Sequence, residues 1–228
     1  MKKPAKPILI TIDGPAGAGK TTVSRMLAAA VGYKYIDTGA LYRAVALSAR
    51  RAGVSSDDDA GLAQVCRGLD LVFNQTEAGT LLLLNREDVS GLIREPEMSM
   101  LASAVSARPV VREYLLAVQK KMGRAKEAVF EGRDMGTVVF PDAEVKFFLD
   151  ASPRVRAERR YREISTTTSV TLEQVESDII RRDRNDSTRA IAPLRPAQDA
   201  VIIDSSEISI GKVVEKMTQH VYRAVNCS

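Results

Sequence analysis

The residues of this chain best suited to chemistry lie in the run Gly14-Pro15-Ala16-Gly17-Ala18-Gly19-Lys20-Thr21-Thr22, which fits the spacing G-x-x-x-x-G-K-[ST]. That spacing binds phosphate. Glycines let the backbone turn so that successive N–H groups face one phosphate, and the N-terminus of a following helix adds a favourable dipole. Lys20 is placed to reach the terminal phosphates of a nucleoside triphosphate, and Thr21 to hold Mg²⁺. The flanks agree: an apolar run, Ile8 to Ile12, leads in through Asp13, and a helix-like stretch, Val23 to Val31, leads out. A glycine-rich strand-to-helix turn that binds nothing is the plainer alternative, and the complete motif in this context argues against it. The loop specifies a phosphate donor; the acceptor must be read from other residues.

Arginines are the next group to consider. Arg43 closes Asp37-Thr38-Gly39-Ala40-Leu41-Tyr42-Arg43, and Arg133 lies in Glu131-Gly132-Arg133-Asp134-Met135-Gly136-Thr137; each cluster follows a strand-like segment. Ligands of open α/β sheets bind beyond the carboxyl ends of the strands, so parallel strands would bring both clusters and the P-loop to one crevice. A guanidinium there can grip a phosphate bidentately, as a lysine cannot. Ordinary surface salt bridges are the alternative for either arginine. Downstream, Leu172, Val175 and Ile179 make an apolar helical face, and the same spacing continues through Arg182, Asp186 and Arg189. Charges on a core-facing stripe need partners or a charged ligand, so this end of the helix is expected to border the substrate. The alternative is a helix that stops before Asp186 and leaves these residues in solvent. Between them lie Arg154, Arg156, Arg159, Arg160 and Arg162, of which Arg156, Arg159 and Arg160 share a helix face. They form a candidate arginine lid, able to neutralise charge on a transferring phosphoryl group while excluding water. A solvated face on which Glu158 and Glu163 pair with these arginines is the competing reading.

Positioning such residues calls for a parallel sheet. Buried-strand candidates at Ile8 to Ile12, Lys34 to Ile36, Ala128 to Glu131, Val145 to Leu149 and Val201 to Ile203 alternate with helical patterns. The helices are expected from about Lys20 to Val31, Gly39 to Arg51, Val110 to Ala125, Pro153 to Glu163, Thr171 to Asp186 and Ser209 to Val225. Thr171 with Gln174 makes a capping-box pattern, and Val170 with Val175 a hydrophobic staple. Leu69 to Phe73, a turn over Thr76 to Thr80, Leu81 to Leu84 and Asp88 to Ser90 read as a small antiparallel insertion. Ser165 to Ser169 reads as a polar linker suited to a moving lid. The fold class expected is α/β: a P-loop architecture with a five-stranded parallel sheet flanked by helices, a small antiparallel β insertion and an Arg-rich lid.

Composition bounds the partners. With 228 residues and 45% hydrophobic content the chain suits one main globular domain. Its net charge of +4 fits nucleic acid or phosphate-bearing small molecules alike. Aromatic residues are only 5%, with no tryptophan, and they do not interleave with basic residues along a strand as an RNA-binding sheet requires. No apolar run approaches the roughly eighteen residues of a membrane helix, and no secretory signal is read at the N-terminus. Cys66 and Cys227 are too few for a disulfide framework or a cysteine zinc site, so a reducing cytoplasm is expected. His220 falls in the last helix and reads as a surface residue.

Four segments together resemble the bacterial cytidylate kinases, a P-loop nucleoside monophosphate kinase family: Ile10-Thr11-Ile12-Asp13-Gly14-Pro15 with the P-loop, Asp37 to Arg43, Gly132-Arg133-Asp134-Met135-Gly136-Thr137-Val138-Val139-Phe140-Pro141, and Arg189-Ala190-Ile191-Ala192-Pro193-Leu194. The resemblance spans nearly the whole chain, and Gly132 to Thr137 is its most specific part. It implies transfer of the γ-phosphate of ATP to CMP or dCMP with Mg²⁺, by a cytoplasmic enzyme, expected to be a monomer with no nucleic-acid or membrane partner. It implies one kinase domain over 1–228: a core (about 1–37, 108–152 and 187–228), a monophosphate-binding lobe (about 38–107) and a lid (about 153–170) leading into the helix 171–186. Residue by residue it gives Ser103, Arg112 and Asp134 to the cytosine, with Thr38 near the base. Tyr42, Arg182 and Asp186 take the ribose, and Arg43, Arg133 and Arg189 the acceptor phosphate. Lys20, Arg133, Arg156 and Arg160 form the catalytic set, and Thr21 is the metal residue, with Glu131 acting through water. Thr38 stands where many relatives have serine, and Glu131 where aspartate is common. Kinases of the same fold acting on UMP, AMP or shikimate are the nearest alternatives. A GTPase-like switch lacks its Asn-Lys-x-Asp motif here, and an ATP-using nucleic-acid-binding protein would bind oligonucleotides with steep salt dependence.

Overall fold

The computed structural model describes residues 3–76, 79–165 and 170–226. The chain divides into two compact units, Met1–Tyr35 with Ala125–Ser228, and Ile36–Arg124.

Five strands, β1 (Leu9–Asp13), β2 (Lys34–Asp37), then β6 (Ala128–Glu131), β7 (Val145–Asp150) and β8 (Val201–Asp204), form one sheet in the order β2-β6-β1-β7-β8. The pairings of β1 with β6 and β7, and of β7 with β8, are parallel. β1 is buried at all five positions, as expected of a central parallel strand covered on both faces. Ile10, Ile12, Phe147 and Leu149 of the sheet share one core with Val23, Leu27 and Val31 of helix α1 (Lys20–Val31) and Val213, Met217 and Val221 of α8 (Ile210–Asn226). In this unit the expected strands and helices all form, with ends moved by one or two residues.

Two further helices of this unit carry charged faces. α6 (Pro153–Ile164) starts at Ser152, whose hydroxyl accepts from the Val155 N–H. α7 (Leu172–Thr188) starts with the full capping box: the Thr171 N–H donates to Gln174 Oε1, and the Gln174 N–H donates to Thr171 Oγ1. The two helices pack through Ala157, Val175 and Ile179, with Val170 and Leu172 against them. α7 continues past Asp186, so Arg182 and Asp186 belong to the helix, while Arg189, extended at its C-terminal end, lies just beyond it. Ser165 is described; the rest of the expected linker, 166–169, lies outside the described residues.

The second unit holds α2 (Thr38–Arg51), α3 (Asp59–Arg67), α4 (Pro96–Ser106) and α5 (Pro109–Gly123). Its β3 (Leu71–Thr76), β4 (Gly79–Leu84) and β5 (Glu87–Asp88) make the three-stranded antiparallel sheet. Glu77 and Ala78 of the expected turn lie outside the described residues. A separate core of Leu41, Val45, Leu62, Leu82, Met98, Val111 and Leu115 holds these elements together. The unit takes in α5, which the sequence reading places with the core of the domain. α4 has no strong periodicity of its own, and α3 is too short for its Leu62–Cys66 spacing to stand out. α3 is nine residues long and buries only Leu62 and Cys66, so tertiary packing decides it. Among the described residues no helix is long and apolar enough to cross a membrane.

Candidate active site

β1 ends in Asp13 and hands directly into the P-loop. Gly14 has φ +147°, and a Cβ there would lie 2.0 Å from the Leu149 carbonyl oxygen, so only glycine lets the loop pass this close to β7. Gly17 has φ +77°, and its Cβ would meet Arg156 Cβ at 3.0 Å. Gly19 leads into the first turn of α1, where Thr21 and Thr22 are exposed and Lys20 is buried. The Lys20 ammonium donates to the Pro15 carbonyl at 2.6 Å. Burial pulls its pKa down to about 7, the Arg133 charge pulling the same way and Glu131 opposing. A phosphate is the ligand that would restore its full charge.

Thr21 Oγ1 donates to Glu131 Oε1 at 2.9 Å, and Tyr35 Oη donates to Glu131 Oε2 at 2.6 Å. An exposed hydroxyl beside a carboxylate held at both oxygens is a hard-oxygen donor set, and it fits Mg²⁺, which keeps several waters and takes few protein ligands.

Arg156 and Arg159 are fastened to the P-loop. Arg156, nearly fully buried, donates from Nε to Ala151 O (2.8 Å), from Nη1 to Ala16 O (3.1 Å) and from Nη2 to Asp183 Oδ2 (2.6 Å). Arg159 donates to Ser205 Oγ (3.0 Å), Ser205 O (2.6 Å) and Ala18 O (3.4 Å). Arg160 faces Glu163 (2.9 Å) on the exposed side of α6, while Glu158 pairs with Arg154 and Arg162. The expected arginine face therefore splits: its first part braces the loop carbonyls, and Arg160 joins a surface pair.

The same unit gathers a second group. Arg133 Nε lies 3.2 Å from Asp186 Oδ2, and Arg133 Nη1 donates to its neighbour's carbonyl, Gly132 O, at 3.3 Å. Arg189 Nη2 lies 3.5 Å from Asp134 Oδ1. Asp134 and Asp186 are buried, and Arg189 donates from Nε to Ala192 O (2.7 Å). Arg182 is half-buried one turn before Asp186, and its charge is felt at Lys20. Residues from just after β6, from the end of α7 and from the segment beyond it thus meet as alternating cations and carboxylates.

The second unit holds the remaining expected residues. Thr38 is buried at the start of α2, which Asp37 caps by accepting the Ala40 N–H at 3.1 Å. Asp37 also accepts from Arg43 Nη2 at 2.8 Å. The Arg112 guanidinium sits 5.9 Å from the Tyr42 ring centroid, and its Nη1 donates to Ser106 O at 3.3 Å. The Ser106 hydroxyl in turn donates to Ser103 O, so Tyr42, Arg112 and the last turn of α4 form one group.

This geometry can be set beside known proteins. A cytidylate kinase family model matches residues 10–223. The chain belongs to the cytidylate kinase family. It is 53% identical over 215 residues to a cytidylate kinase of Geobacter sp. (strain M21), covering 94% of this chain and 92% of that one. It is 43% identical over 221 residues to a cytidylate kinase of Caldicellulosiruptor bescii, covering 96% and 98%. Among solved structures it is similar to shikimate kinase from Acinetobacter baumannii in complex with shikimate, with a TM-score of 0.50 at 16% identity, covering 96% of this chain and 95% of that one. That likeness is one of fold. As a member of the cytidylate kinase family the chain is a phosphotransferase, with ATP as its phosphate donor and CMP or dCMP as acceptor.

Several residues that shape this candidate site escape a reading of motifs alone. Asp13 is fully buried and accepts the Met135 N–H (2.9 Å) and the Gly136 N–H (2.8 Å), so it anchors the turn that follows Asp134. Burial raises its pKa to about 6, against the two N–H groups that favour the carboxylate. That turn, Met135–Val139, is a single π-helical turn, with Phe140 N–H donating to Met135 O and Val139 N–H to Asp134 O. Such turns recur at functional sites. A charged residue ending an apolar strand was the available signal for Asp13. Asp183, Tyr35 and Ser205 had none, because each matters through a partner far along the chain. His220, expected at the surface, is half-buried with its ring edge-on to Phe147, 5.6 Å between centroids.

Proposed function

We propose that the chain phosphorylates CMP and dCMP with Mg²⁺, in the cytoplasm and as a monomer, through the residues described above. The observation that carries this is the pair of ion pairs Arg133–Asp186 and Arg189–Asp134 beside the P-loop unit's own lysine. The arginines suit an acceptor phosphate, and the carboxylates suit a base amine and ribose hydroxyls. Cytosine offers an N4 amine together with N3 and O2 acceptors, so Asp134 accepts from N4 while Arg112 donates to the acceptors. Tyr42, Arg182 and Asp186 take the ribose, and Arg43, Arg133 and Arg189 the phosphate; Ser103 and Thr38 border the base. Uracil turns a carbonyl toward Asp134. Such a mismatch costs roughly 1–3 kcal/mol, or about ten- to a hundredfold in discrimination.

In this reading an acceptor phosphate oxygen attacks the γ-phosphorus of ATP. The new P–O bond forms as the bond to the β–γ bridging oxygen breaks, and ADP leaves with that electron pair. The second pKa of a phosphate monoester is about 6, so the attacking oxygen is already ionised at neutral pH and no general base or covalent intermediate is needed. The protein positions the two phosphates and neutralises charge through Lys20 and Arg133. Arg156 and Arg160 join them by exchanging Asp183 and Glu163 for phosphoryl oxygens. Thr21, with Glu131 through water, would hold Mg²⁺, which when bound neutralises charge on the donor phosphates.

An assay of ADP production with ATP, Mg²⁺ and CMP, dCMP, UMP, AMP or shikimate as acceptor tests the proposal. CMP and dCMP are expected to turn over best. A preference for any of the other three overturns the assignment of acceptor.

A further inference from the structure

We infer that Lys146 is a positioning residue for acceptor recognition, fastening the turn that carries Asp134 and the segment that carries Arg189 to a single point on β7. The inference deepens the acceptor reading above and rests on it.

Lys146 is the second residue of β7, and its side chain is only 6% exposed. An ammonium so deeply buried has three donors to satisfy, and here they have three acceptors: Pro141 O, Asp199 Oδ2 at 2.7 Å and Asp199 Oδ1 at 2.9 Å. Pro141 closes the stretch that starts at Asp134 and runs through the π-helical turn. The lysine stem lies under the same turn, close enough that a Cβ added to Gly136 would come within 3.2 Å of Lys146 Cδ. Asp13 grips the start of this turn through the Met135 and Gly136 N–H groups, so Lys146 supplies the second anchor, at its far end.

Asp199 lies near the end of the segment joining α7 to β8. That segment leaves the helix at Arg189, is tied back by the Leu194 N–H donating to Asp186 O at 2.8 Å, and has its last fixed side-chain point at Asp199. The Asp199 carboxylate is 64% exposed, so its bond to Lys146 adds little stability through Coulomb attraction. The bond acts instead by localising the segment against a central strand. Asp134 and Arg189 meet at 3.5 Å, and both of the chain segments that deliver them end on the same ammonium. Misplacing a binding group by about 1 Å can cost up to a hundredfold in rate, so support of this kind governs how well the acceptor is held.

Steady-state kinetics with CMP, UMP and ATP on Asp199→Ala, Asp199→Glu, Lys146→Met and Asp134→Ala provide the test. Asp199→Ala, which takes two of the three acceptors from the buried ammonium, is expected to lower the thermal midpoint while leaving the protein folded at assay temperature, to raise KM for CMP about tenfold with KM for ATP within about twofold, and to lower the CMP-over-UMP preference. Asp199→Glu, which keeps a carboxylate, is expected to recover most of this, and Lys146→Met to lose about a hundredfold in kcat/KM for CMP. Should Lys146→Met fail to fold, the Asp199 pair decides alone. An unchanged KM for CMP in Asp199→Ala, while Asp134→Ala loses its CMP preference, overturns the positioning role and leaves the acceptor reading standing. A CMP preference that survives in Asp134→Ala overturns the acceptor reading, and the positioning role falls with it.

Discussion

The loop from Gly14 to Gly19 and the cluster of Arg133, Asp134, Asp186 and Arg189 lie in one unit, yet they are made of different materials. The loop is a backbone device: glycines at φ +147°, +77° and +89° turn successive peptide groups, and side chains at Pro15, Ala16 and Ala18 contribute little beyond fit. The cluster is a side-chain device, in which each arginine is held by a carboxylate and can exchange it for a ligand of the same charge. A backbone device constrains residue type at fixed spacing and binds any nucleotide phosphate. A side-chain device leaves spacing free, since its members meet through the fold, and it can tell one acceptor from another.

The largest way to break this contrast is Lys20→Ala, which removes the side chain proposed to reach the transferring phosphate from just past the loop. We expect kcat to fall at least about a thousandfold with the fold intact, since the variant also relieves a buried ammonium. Near-native turnover, with circular dichroism unchanged, would refute the placement of Lys20 at the transferring group.

Asp13 joins the two devices, ending the strand before the loop and gripping the turn after Asp134. Its pKa in the folded state is raised from 3.8 to about 6, so the folded protein holds this proton more tightly than the unfolded chain. The stability this contributes is fully present below about pH 3.8 and is lost as pH rises through 6, a change of roughly 3 kcal/mol. Asp13→Asn cannot titrate, so its stability relative to the native chain should rise between pH 4 and 6 and then level off. Urea unfolding at stepped pH measures this, and a difference independent of pH contradicts it.

Gly14→Ala and Arg133→Lys sharpen the contrast directly. The first places a Cβ against the Leu149 carbonyl and is expected to cost about 2 kcal/mol in urea unfolding, with KM for ATP rising. The second keeps charge but loses the bidentate fork, and is expected to lower kcat/KM for CMP about tenfold while leaving KM for ATP and stability nearly unchanged. If Arg133→Lys raised KM for ATP and left the CMP term alone, the division of labour between loop and cluster would be wrong.

The contrast also explains what the sequence made legible. The P-loop, the strands Ala128–Glu131 and Val145–Asp150, and the α7 capping box are local patterns, forced by residue type and period, and they form where expected. The stripe Arg182, Asp186, Arg189 was visible as a period, but its partners were not: Arg133 and Asp134 are more than fifty residues away in sequence. Asp183, one position off the stripe, takes Arg156. The π-helical turn was hidden because what anchors it, Asp13, lies on β1. α4 was hidden because its apolar residues are set by packing in the second unit rather than by a period of its own. Asp199 carries no motif, and its meaning comes wholly from the buried lysine across from it.

The most direct test of the central claim, that a side-chain cluster anchored on Asp134 reads the acceptor, is the ratio of kcat/KM for CMP over UMP in the native chain and in Asp134→Ala. We predict a ratio of at least about ten for the native chain, collapsing toward one in the variant, with KM for ATP unaffected. A native ratio near one, or a variant that keeps the native ratio, would contradict it.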